Sequence, residues 1–103
     1  MNSEAVSPTD YSAHAFLEKA AQHMRDRALQ RDSKDGERSM AKTVAAFNAL
    51  YGFDLTEEQG WQFMVLLKQS RASCGVFVPD DYEDGAAYFA LAGEAAAKNR
   101  KEE

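Results

Sequence analysis

One cysteine, Cys74, occurs in the whole chain of 103 residues. An intrachain disulfide and a thiolate metal cluster are therefore both excluded. Long apolar runs are missing too: Phe63 to Leu67 is far too short to cross a bilayer. The first residues, Met-Asn-Ser-Glu-Ala-Val-Ser-Pro, lack the basic start and apolar stretch of a signal peptide, so a cytosolic protein is expected. Nor is there a basic surplus. The net charge of -5 argues against a duplex-DNA footprint, which needs a basic face to neutralise phosphates. The local basic groups Arg25/Arg27/Arg31 and Lys98/Arg100/Lys101 are interleaved with acids and read as solvated faces. Glycine-rich phosphate loops and nucleophile elbows are absent. The two histidines, His14 and His23, stand nine positions apart rather than the four a helical metal pair requires, and read as surface residues.

What is present is helical patterning. Hydrophobic residues make up 45% of the chain, enough for one modest core, and residues 1–103 read as a single domain with flexible ends at 1–8 and 98–103. Ser7-Pro8-Thr9-Asp10 has the composition of a helix start, and Leu17, Ala20, Met24 and Ala28 recur at helical spacing, predicting a first helix over 9–30. Met40, Val44, Phe47 and Tyr51 define one face of a second helix over 37–51, with Gly52 placed as its C-terminal cap. Thr56 and Gln59 form a capping-box pattern at the start of a third helix that Gly75 ends. Trp61, Phe63, Met64, Val65, Leu66 and Leu67 make that helix apolar nearly all round, so burial on more than one side is expected. Val76-Phe77-Val78 reads as a short extended link that packs Phe77 on the core. A fourth helix is predicted from about Asp80, with Asp80 and Glu83 as a second capping box and Tyr82, Ala86 and Phe89 as its inner face. Gly85 and Gly93 are expected to let helices approach closely.

Two groups of charged residues carry the available chemistry. Asp80 and Asp84 lie one helical turn apart, as do Asp84 and Tyr88, and facing carboxylates are how helical bundles hold Mg²⁺ or Mn²⁺. Acids in a first turn also serve simply to satisfy free amides and the helix dipole. Lys68 and Arg71, three apart, suit a phosphate, the arginine as a fork and the lysine as a point charge. They equally suit ion pairs with Asp81 or Asp84 across the connecting loop. Cys74 reads as a small packing residue, and Trp61 and Phe63 as core rather than as base-stacking platforms.

Several blocks of the chain are similar to a known group. Gly36-Glu37-Arg38-Ser39-Met40, Leu55-Thr56-Glu57-Glu58-Gln59, Phe63-Met64-Val65-Leu66-Leu67-Lys68-Gln69-Ser70-Arg71 and Asp81-Tyr82-Glu83-Asp84-Gly85-Ala86-Ala87-Tyr88 resemble a family of small uncharacterised bacteriophage and prophage proteins. The resemblance spans about residues 25–95 and implies a phage accessory gene. The pattern Asp80, Asp84, Tyr88 after a cationic helix also resembles the last helices of MazG-like nucleotide pyrophosphohydrolases. In those enzymes this helix supplies carboxylates to a Mg²⁺ site, alongside a Glu-x-x-Glu pair on an earlier helix. Here that pair is missing: Glu57 and Glu58 are adjacent, and Glu37 is followed three residues on by Met40.

The expected architecture is thus all-α, a compact four-helix domain with the third helix central. The expected role is that of a small phage-type accessory protein in the host cytosol, a non-enzymatic binding module for a host protein or a nucleotide. Its candidate ligand-binding residues are Lys68, Arg71, Asp81, Asp84 and Tyr88. The alternative is a divergent Mg-dependent MazG-like hydrolase, with Asp80, Asp84 and Glu37 as metal ligands. A third reading is an assembly role through homo-oligomerisation.

Overall fold

The computed structural model of the chain describes residues 10–30 and 39–101. Four helices make up nearly all of them: α1 (Ala13–Gln30), α2 (Ser39–Tyr51), α3 (Glu57–Ala72) and α4 (Pro79–Lys101). The boundaries follow from local hydrogen bonding. At α1 the cap is Ser12, whose Oγ accepts from the Ala15 amide at 3.2 Å, while Asp10 accepts from the Ser12 amide at 3.1 Å. The helix therefore starts at Ala13, later than residue 9, and the Ser7-Pro8 signal lies outside the described residues. The part of α2 expected over 37–38 lies outside them as well.

The α2–α3 connection is short and tightly held. Gly52 takes a φ of +74°, a left-handed conformation that glycine adopts without steric cost, and its amide donates to Asn48 O at 2.8 Å. The Asn48 side chain then grips Leu55 twice, accepting from its amide at 2.9 Å and donating to its carbonyl at 3.0 Å. Thr56 and Gln59 close the capping box as the sequence implied, with reciprocal bonds of 3.0 and 3.1 Å. Beyond Ala72 the chain turns through Ser73 and Gly75 (φ +76°). Pro79 then opens α4 at the first helical position, where its missing amide costs nothing.

In packing order the helices run α1, α4, α3, α2. The α3–α4 pair makes the broadest contact, α1 rests on α4, and α2 rests on α3 through a sparser one. The third helix is thus central in the sense that it packs on both α2 and α4. The core is small: Met40, Val44, Trp61, Leu91 and Ala92, with Met24, Met64 and Tyr88 against it. Trp61 is its anchor, only 2% exposed. Where α2 meets α3, Gly60 has no room for a side chain. A Cβ there would lie 2.5 Å from Met40 Sδ and 2.8 Å from Val44 Cγ1. Gly85 and Gly93, the glycines expected to permit close approach, have ordinary contact or open space instead.

Helix α3 is covered on two sides as expected, by α2 and α4. Phe63, read as core, is nonetheless 67% and Leu66 61% exposed. On α4 the inner face is Asp81, Ala87, Leu91, Ala92 and Ala95, whereas Tyr82 and Phe89, read as inner, are exposed. Phe77 is also exposed, packing edge-on to Tyr11 at 5.0 Å and beside Tyr82 at 5.8 Å rather than on the core. Periodicity locates the largest apolar stripe, but the close α3–α4 and α1–α4 contacts demand small residues, so the alanines and the acids turn inward. Cys74, read as a packing residue, is exposed and free. Among the described residues no helix is long and apolar enough to cross a membrane.

Candidate functional site

The four acids at the start of α4 point to three different places. Their angular spread follows from helical geometry, since successive residues advance about 100° and neighbours in sequence cannot share a face. Asp84 lies between α1 and α3. Its Oδ2 is 3.2 Å from Lys68 Nζ and its Oδ1 is 3.4 Å from Arg27 Nη2, with all three side chains partly or mostly buried. One carboxylate thereby ties three helices together. Arg27 also lies over the Tyr88 ring at 6.0 Å, and Tyr88 stacks on Trp61 at 5.7 Å, linking the ion pairs to the core.

Glu83 turns toward α1. Its Oε1 stands 2.8 Å from His23 Nε2, and the residue is only 8% exposed. The expected capping box between Asp80 and Glu83 does not form, because α4 already starts at Pro79 and puts Asp80 inside the first turn, which leaves the Glu83 carboxylate to the imidazole. Asp80 is exposed, and one ligand atom each from His23, Asp80 and Glu83 fall within 4.8 Å of one another.

Asp81 turns the other way, toward α3. It is 8% exposed and its carboxylate makes no hydrogen bond or ion pair with a described residue. It lines an open cleft of about 550 Å³ between α3 and α4, together with Val65, Leu66, Lys68, Tyr82 and Phe89. Gln62 and Gln69 add amide groups to the same wall. A mostly apolar cleft of this size with a few converging polar groups is the usual form of a small-molecule site.

Of the sequence-derived candidates, Lys68 and Asp81 therefore share the cleft, and Lys68 and Asp84 share an ion pair. Tyr88 belongs to the aromatic stack, and Arg71 is exposed and pairs with no described residue. Asp80 and Asp84 occupy successive turns, but the Asp84 carboxylate already serves two cations while Asp80 faces Glu83 and His23. Glu37 lies outside the described residues. Two residues at this end of the bundle had no signal in the sequence: Arg27, read as part of a solvated basic face, and His23, read as a surface residue; Glu83 stood out as one of the acids opening α4, but not as the partner of His23. Spacing rules see pairs within a helix, and these are pairs between α1 and α4.

A family model described as Domain of unknown function (DUF6378) matches residues 15–96. The chain belongs to the DUF6378 family. The matched span begins early in α1 and ends late in α4, so it takes in α2 and α3 whole, most of α1 and α4, the residues of the α3–α4 cleft and each of the charged contacts just described. Neither a curated protein nor a solved structure matches the chain with significant similarity.

Proposed function

We propose that this DUF6378 domain is a non-enzymatic binding module that takes a nucleotide in the α3–α4 cleft. The observation that carries the reading is Asp81, a mostly buried residue whose carboxylate opens onto the apolar wall of the cleft without a described partner. Its oxygens open onto the cleft with no described donor on them, so they are free to accept from a ligand that brings hydrogen-bond donors. A nucleobase edge with amino or imino donors fits, its flat body lying against Val65, Leu66 and the Phe89 ring. Lys68 in the cleft and Arg71 one turn further along α3 are the cations for the phosphate. The sequence resemblance to phage and prophage proteins supports an accessory role of this kind.

Titration calorimetry with guanosine, adenosine and cytidine monophosphates, without divalent metal, tests it. At least one is expected to bind, and Asp81→Asn is expected to weaken it by tenfold or more, the scale of a charge-assisted hydrogen bond. Absence of heat with all three overturns the nucleotide reading. Mg²⁺-dependent release of pyrophosphate from the triphosphates would instead favour the divergent hydrolase.

A second reading has its own observation. Phe63 and Leu66 are widely exposed on α3, with Phe89 nearby in the cleft wall at 60%. Exposed apolar side chains grouped this way mark protein contact surfaces. A host protein or a second copy of the chain would cover them, and light scattering of the purified protein with and without host lysate fractions separates the two.

A further inference from the structure

We propose that His23, Asp80 and Glu83 form a binding site for a first-row transition-metal dication that bridges α1 and α4. The proposal rests on different residues from the nucleotide cleft and does not depend on it. The sequence excludes a histidine pair and a cysteine cluster, so any such site has to be assembled from different helices, and this one is. One imidazole nitrogen and two carboxylate oxygens lie within 4.8 Å of one another, with no other group needing to move between helices.

The geometry is close to that of a filled site. Metal–nitrogen and metal–oxygen bonds of about 2.1 Å put neighbouring ligand atoms roughly 3.0–3.4 Å apart, for octahedral or tetrahedral coordination. His23 Nε2 and Glu83 Oε1 stand at 2.8 Å, a few tenths of an ångström short of that spacing. Both backbones are fixed by α1 and α4, and Glu83 is held in place by burial at 8% exposure. Asp80 is exposed, so its side chain is free to swing the remaining distance, and the side open to water gives an ion its path of entry. The His23 side chain is about one-third exposed on the same side.

The donor set decides the class of ion. Two carboxylates alone suit Mg²⁺ or Ca²⁺, which take all-oxygen shells, whereas an imidazole shifts preference to Mn²⁺, Fe²⁺, Co²⁺, Ni²⁺ or Zn²⁺. The site also supplies two negative charges, which neutralise the dication, and leaves positions for water or an incoming ligand. Without the metal the same residues make a histidine–carboxylate contact, and the two states compete for one imidazole nitrogen.

The test uses the full chain free of any histidine tag, titrated calorimetrically with Zn²⁺ and followed by absorption with Co²⁺. One equivalent per chain is expected, with d–d bands of a nitrogen–oxygen coordinated Co²⁺ ion. His23→Gln and Asp80→Asn are each expected to weaken binding at least tenfold, while His14→Gln leaves it unchanged. The Nε2 resonance of His23 is expected to shift on Zn²⁺ addition. Glu83 is buried, so Glu83→Gln is read only where circular dichroism matches the parent. Asp80 is exposed, so its variant decides even if the others lose structure. No binding at up to 1 mM metal, or binding that persists in both His23→Gln and Asp80→Asn, overturns the proposal.

Discussion

Gly60 is the residue on which the α2–α3 junction turns. Nothing but hydrogen fits there, because two of the three nearest atoms belong to Met40 and one to the β-branched, stiff Val44. Replacing it with alanine gains helix propensity of about 1 kcal/mol, but forces Val44 or α2 to move, at about 1–3 kcal/mol. Met40 can swing its sulfur aside; Val44 cannot. Gly60→Ala is accordingly expected to be destabilising in a urea melt, and a gain in stability would mean that α2 is free to slide away. Leu91 and Leu67 calibrate the core from either side. Leu91 is 5% exposed and Leu91→Ala is expected to cost about 2–5 kcal/mol. Leu67, at 37%, has little surface to lose to a cavity, and Leu67→Ala is expected to cost about 1 kcal/mol. Equal losses at the two positions would place Leu67 against something that covers it in solution.

At the level of helices, the caps and the faces were legible to very different degrees. The Thr56–Gln59 box and the Gly52 cap were readable because their causes are local: a hydroxyl, an amide side chain and a glycine within four residues of the group they satisfy. The inner face of α4 was not, since tertiary contact decided it. Large rings at Tyr82 and Phe89 suggested one stripe, while the tight approach of α1 and α3 required the alanine and acid stripe instead. The charged site divides along the same line. Sequence placed Lys68 near Asp84, a pairing between consecutive helices, but had no means of placing Arg27 or His23 beside α4, more than fifty residues away. Asp84 shows what that long-range pairing does for the fold. Asp84→Asn leaves the largely buried Lys68 and the half-buried Arg27 facing a neutral amide, and is expected to cost about 1–3 kcal/mol. Lys68→Met should cost less than Asp84→Asn in the same melt, because it removes a cation and its desolvation together. The reverse order would mean that Arg27 alone does not satisfy the carboxylate once Lys68 is gone.

Across the whole molecule, the serial arrangement α1–α4–α3–α2 distributes stability unevenly. The α3–α4 pair carries Trp61, Leu91 and Ala92, whereas each outer helix leans on one neighbour only. Local opening free energy scales with the apolar contacts an element must break, so the two outer helices are the ones expected to open before global unfolding. Their anchors differ. Helix α2 is held by Met40 and Val44 across the Gly60 gap and by the Asn48–Leu55 clasp. Helix α1 buries Ala20, adds partly buried Met24, and relies on the Arg27–Asp84 and His23–Glu83 contacts. Native-state hydrogen exchange is therefore expected to show slowest exchange in α3 and the middle of α4, faster exchange in α1, and the fastest helical exchange in α2, whose contact is the sparsest. Uniform protection across the four helices would contradict a serial arrangement and point to a further surface covering the outer pair. Zn²⁺ sharpens the measurement. An ion held by His23, Asp80 and Glu83 stabilises only states in which α1 remains docked on α4, so it should slow exchange in α1 and leave α2 as it was. Slowing of both helices alike would mean that the metal acts on the chain as a whole, through association or non-specific binding, rather than at the α1–α4 seam.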